Sequence, residues 1–122
     1  MADADVRVHT GRAMESVNNE SLSLPDAAGA GRAALSRLPS FVSGDALASA
    51  VLLAMAPTRI AVYDRRADAA LRTLDVPLSS SPGRYRRFMQ IVDELLQALL
   101  TTASSWIARD VDIALFQLGG TR

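Results

Sequence analysis

The chain reads as an all-α protein, a compact bundle of five or six helices. Three observations predict this. Apolar residues in the second half recur at helical spacing, Pro, Gly and Ser clusters separate the periodic runs, and the one β-prone run, residues 60–63, has no second run to pair with. Hydrophobic residues make up 49% of the 122 and charged residues 21%, a balance that places the chain with folded globular domains and away from disordered ones. The length suits one domain, expected over residues 12–122 after a flexible N-terminal arm at 1–11.

The arm carries Asp3, Asp5, Arg7, His9 and Gly11 without periodicity, and a short first helix follows through Ala13, Met14 and Val17. Ser23, Leu24 and Pro25 form a helix entrance, leading into an Ala-rich helix to about Leu38 that Gly29 and Gly31 weaken by about 1 kcal/mol each. Asp45 stands at the start of residues 46–56, an almost wholly apolar helix stopped by Pro57 and expected to be the most buried of all. Asp64 opens the next helix, whose stripe is Ala67, Ala70, Leu71 and Leu74. Ser81 and Pro82 read as N-cap and first turn of the longest helix, residues 83–101, with a stripe of Phe88, Ile91, Val92, Leu95 and Leu99. The last helix uses Ile107, Val111, Ala114, Leu115 and Leu118, and Gly119-Gly120 stops it.

Composition also narrows the chemistry. There is no cysteine, so disulfides, thiolate metal sites, thiol nucleophiles and iron–sulfur clusters are excluded, and the single His9 cannot build a metal centre by itself. No metal or other cofactor is expected. All 13 basic side chains are arginine, so no lysine amine exists to form a Schiff base. The 13 acidic residues balance them, which argues against a nonspecific polyanion binder but allows a locally basic face. No run approaches the roughly 18 apolar residues a membrane span needs, and the first 25 residues are too polar for a signal peptide, so a cytoplasmic protein is expected.

Two segments carry a resemblance. Leu38-Pro39-Ser40-Phe41-Val42-Ser43-Gly44-Asp45-Ala46-Leu47-Ala48, with the apolar run after it, resembles the hairpin of the helix-hairpin-helix DNA glycosylases, the endonuclease III-like superfamily, whose usual form is L-P-G-V-G-x-K-x-A. Setting Gly44 on the second hairpin glycine puts Ala48 on the motif alanine and Ala46 where bifunctional members carry lysine. Val42 then replaces the first glycine, and Leu38-Pro39 lies two residues too far upstream. Eighteen residues after Ala46, Ile60-Ala61-Val62-Tyr63-Asp64-Arg65-Arg66 is similar to the stretch around the family's essential aspartate.

The resemblance implies DNA binding and monofunctional base excision, with Asp64 as the catalytic carboxylate and Gly44 presenting backbone amides to a phosphate. Asp64 and the Gly44-Asp45 pair also suit plain helix capping. The residues themselves nominate Arg59, Arg65, Arg66, Arg84, Arg86 and Arg87 for phosphate contact, because guanidinium forks match phosphate oxygens; solvated helix surface, neutralised by Asp68, Asp93 and Glu94, is the commoner explanation of such residues. Tyr85, beside three of these arginines, is the candidate to stack on an extruded base, and Trp106 is expected in the core. Asp93-Glu94 and Asp110/Asp112 point apart on a helix, and Ser104-Ser105 lack a partner histidine, so none of these builds a catalytic couple. The alternative reading is a non-catalytic helical protein-interaction domain, with a partner chain or a second copy in place of DNA.

Overall fold

A computed structural model describes residues 3–41, 44–100 and 105–120. Those residues form six α-helices: α1 (Asp3–Val17), α2 (Leu24–Leu35), α3 (Asp45–Met55), α4 (Arg65–Thr73), α5 (Arg84–Leu99) and α6 (Ala108–Gly120), with one 3₁₀ turn at Pro39–Phe41 and no strand among them. No helix among them is long and apolar enough to cross a membrane.

The helix starts follow capping chemistry. Ser23 accepts the Asp26 amide ahead of α2, and Asp64 accepts the Ala67 amide at 2.9 Å ahead of α4. Ser81 is not the cap of α5. That position belongs to Gly83, and the Ser79 and Ser81 hydroxyls instead receive Arg87, which also bonds the carbonyls of Ser79, Ser81 and Pro82. The loop is folded around one guanidinium.

α2 packs chiefly on α1 and α5, and α4 on α6, around one core. Leu35, Leu52, Ile60, Leu71, Phe88, Met89 and Val92 are fully buried at its centre. Leu74 and Leu95, expected on the buried stripes, are exposed.

Four expectations need correction. Residues 3–11 are helical rather than a loose arm: α1 packs along α2, with His9 half-buried and Ala13 and Val17 fully buried at successive turns of one face, while Val6 and Val8 stay outside. α3 is not the central helix. It buries Ala48, Ser49 and Leu52 on one side and leaves Leu47 55% exposed, since it lies against α1 and α2 and has no helix over its outer face. Trp106 is outside the core, 39% exposed, because the docked part of α6 begins at Ala108. Gly119 and Gly120 lie inside the last helix rather than just beyond its end. A Cβ on Gly119 would strike the backbone carbonyl of Arg66, so glycine there lets α6 lie directly against α4. Val42 and Ser43 of the hairpin, Thr101 at the expected end of α5, and Ser104 lie outside the described residues.

Candidate functional site

The elements meet where the N-termini of α3, α4 and α5 converge. α3 begins at Gly44, which sits at φ +84°, the left-handed region that glycine enters without penalty, and among the described residues no side-chain cap of that helix is formed at its N-cap. α4 begins at Asp64, whose Oδ1 is held by the Ala67 amide. Between them opens a cleft of about 590 Å³, bounded among others by Gly44, Tyr63, Asp64, Arg65, Arg72 and Arg84. Asp64 also borders a second, smaller hollow of about 360 Å³ between α3 and α6, lined by Leu53, Val62, Arg109, Asp112 and Phe116.

The sequence candidates therefore divide. Gly44, Asp64, Arg65 and Arg84 come together at one cleft, and the rest do not. Tyr85 is a core residue, 2% exposed, with its hydroxyl donating to the Ala61 carbonyl at 2.7 Å and its ring beside Phe88; the stacking platform expected on the surface is absent from it. Arg59 donates to the carbonyls of Val17, Asn19 and Leu22 and closes the end of α1. Arg87 holds the loop before α5, and Arg86 pairs with Asp26. Arg66 lies over the ring of Phe116, 4.0 Å from its centroid. Arg84 and Arg87, both nominated for phosphate contact, are committed to Asp45 and to the Pro82 carbonyl.

Electrostatically the cleft is balanced. Asp45 accepts Arg32 Nε at 2.8 Å and Arg84 Nε at 2.9 Å, joining α2, α3 and α5 through one carboxylate. Sequence reading saw Asp45 only as a helix cap; nothing in its local pattern announced partners 13 and 39 residues away. Tyr63 donates to Asp68 at 2.7 Å, and burial together with that neighbouring carboxylate pushes its phenol up to about 12. Burial alone would push the Asp68 carboxyl up, but hydrogen bonds from Arg72 and Tyr63 outweigh it and hold Asp68 below the usual carboxylate range.

On the other flank Asp112 is buried, accepting the Val62 amide at 2.7 Å and Arg109 at 2.6 Å. Its burial raises the carboxyl pKa above the ordinary value, with the Asp64 charge adding to the rise, and the Val62 and Arg109 bonds only partly oppose it. The pattern reading that set Asp110 and Asp112 apart from each other holds, yet it missed that Asp112 faces Asp64 from another helix. Among the described residues no group of three or more His, Asp or Glu is placed to hold a metal ion.

Comparisons of the chain with family models, with curated proteins and with solved structures returned no match.

Proposed function

We propose that this chain binds DNA at the cleft between the starts of α3 and α4 and hydrolyses the N-glycosidic bond of a damaged or modified base there. The observation that carries the reading is the placement of Asp64. One oxygen is fixed by the Ala67 amide while the residue borders a cleft whose opposite wall is the glycine-capped start of α3, with Arg65, Arg72 and Arg84 along its sides. A nucleotide drawn into that cleft sets its phosphate toward the α3 amides and its sugar toward Asp64. The C1′–N bond then breaks with its electron pair leaving on the base. Water adds at C1′, and the proton it gives up passes to the departing base. Asp64 stabilises the positive charge that develops on the sugar. Without lysine, no strand cleavage through a side-chain Schiff base follows.

The test is single-turnover base release from duplexes carrying a panel of lesions, comparing wild type with Asp64→Asn. Asparagine caps a helix about as well as aspartate, so the fold is kept while the charge is removed. The expected outcome is a loss of about 10²-fold or more. Wild type without base release, or release unaffected by the substitution, refutes the assignment.

One observation favours the second reading, a non-catalytic protein-interaction domain. Leu47 on α3 and Ile113 and Phe116 on α6 are exposed, and the latter two line the hollow that separates their helices. That reading expects no salt-dependent retention on DNA.

A further inference from the structure

Residues 60–64 join α3 to α4 without regular secondary structure, ending at Asp64 in an extended conformation at the cleft, and no strand among the described residues pairs with them. Ile60, Ala61 and Tyr63 are buried, so the backbone polar groups of this segment need partners inside the protein. Side chains supply them from three helices. Ser49 of α3 accepts the Tyr63 amide at 3.0 Å, Tyr85 of α5 donates to the Ala61 carbonyl at 2.7 Å, and Asp112 of α6 accepts the Val62 amide at 2.7 Å. Ser49 and Asp112 are also the buried polar and charged side chains among the described residues. An aliphatic residue would fill either place more cheaply if packing were their only task.

Asp112 differs from the other two clamps in carrying charge. Its second oxygen takes Arg109, one turn back on the same helix, and it faces the Asp64 carboxylate across the smaller hollow. We propose that Asp112 is a positioning residue for Asp64: by gripping the Val62 amide, α6 fixes where this connecting segment ends and thus where the Asp64 carboxylate stands in the cleft. The purpose of this device rests on reading Asp64 as the reacting group, but its geometry is testable without activity.

Asp112→Asn is the first variant. Val62 and Arg109 donate to different oxygens of Asp112, and a carboxamide replaces one of those oxygens by an NH2 donor, so one of the two bonds is lost in the existing geometry. Amide hydrogen exchange, read residue by residue, is expected to quicken by about tenfold at Val62 and at Ala67, whose amide reports the Asp64 cap, while Ala28 in α2 keeps its wild-type rate. Faster exchange at Val62 with Ala67 unchanged overturns the proposal, since Asp112 would then anchor the segment without placing Asp64. If Asp112→Asn does not fold, Arg109→Gln asks the same question more gently. It keeps the carboxylate and removes its counter-charge, and Val62 and Ala67 should again quicken together; Ala67 standing still again overturns it. In an active wild type, Asp112→Asn lowers the single-turnover rate constant while the DNA concentration giving half-saturation stays put. A wild type that releases no base removes the proposed function, whereas the paired amide rates still decide whether Asp112 positions Asp64.

Discussion

Asp45→Ala is the most informative perturbation of this fold, because a single carboxylate there joins three helices that are far apart in the chain. Its side chain is only 11% exposed, Arg32 is 14% exposed and Arg84 33%. Removing one member of a fully buried ion pair costs about 3–5 kcal/mol, because the partner is left charged and uncompensated. Here Arg32 keeps a bond to the Phe41 carbonyl, and Arg84 keeps some solvent and the face of Tyr63, 5.2 Å away. Those residual partners bring the expected loss down to about 2–4 kcal/mol, including the acidic residue taken from the first turn of α3. For a domain of this size that is a fall in Tm of roughly 6–20 °C. Urea denaturation followed by circular dichroism measures it, with Asp26→Ala as the control that breaks the exposed pair with Arg86. Asp26→Ala should leave the transition near wild type. The Asp45 effect should persist in high salt, where exposed pairs are screened. A double-mutant cycle with Arg32→Gln should show non-additivity of about 1–3 kcal/mol. A loss for Asp45→Ala no larger than the control's, or strict additivity with Arg32→Gln, refutes the argument that this carboxylate ties the helices together.

Three further outcomes follow from the same coordinates. Gly31→Ala should destabilise by about 1–3 kcal/mol in chemical denaturation although helix propensity alone favours it, because the added Cβ would lie 2.6 Å from Val17 Cγ1 and 3.1 Å from Leu52. Neither of the two tyrosines should ionise near pH 10 in the folded protein, as followed by ultraviolet absorbance, since Tyr63 is pushed to about 12 and burial drives Tyr85 up as well; the stability carried by the neutral Tyr63 phenol is present below 10 and lost as pH rises through 12. Because the folded pKa of Asp112 is raised, its contribution is fully present below 3.8 and lost as pH rises through that raised value, so wild type should gain on Asp112→Asn as pH falls from neutral toward 3.8; the opposite trend in urea titrations would contradict burial as the dominant influence.

The helices were readable where sequence pattern and packing coincide. The α4 stripe of Ala67, Ala70 and Leu71 and the caps at Ser23 and Asp64 are local facts, settled within one or two turns, and the structure keeps them. The features that escaped depend on distant partners. The uniformly apolar α3 carries no period to say which side faces inward, so its exposed Leu47 could not be foreseen. Tyr85 looked like a surface residue because Arg84, Arg86 and Arg87 flank it, yet the arginines reach around to Asp45, Asp26 and the loop at 79–82 while the ring turns into the core. At the candidate site, Asp64 and Gly44 were legible as helix starts. The clamps Ser49 and Asp112 were not, because a residue that satisfies an unpaired backbone segment has no signature apart from the segment it serves.

The arginines then decide how strongly any DNA can be held. With no strand among the described residues, the turns are left short of backbone partners, and the planar guanidinium answers that need, since it can donate to two or three carbonyls at once where an ammonium acts as a point charge. Arg59 does so at the end of α1 and Arg87 before α5, while Arg32 joins the Phe41 carbonyl to the Asp45 carboxylate. Of the arginines nominated for phosphate contact, Arg65 is exposed at the first turn of α4, with no contact described, and Arg84 borders the same cleft with its Nε committed to Asp45. One or two phosphates is therefore the footprint these side chains support, not six. The logarithm of DNA affinity plotted against the logarithm of salt concentration should fall with a slope of about −1 to −2, against roughly −5 for a six-arginine contact surface. A slope near the larger figure would mean that the internal staples open to meet the duplex, and that the arrangement of Arg59 and Arg87 described here is a state that DNA displaces.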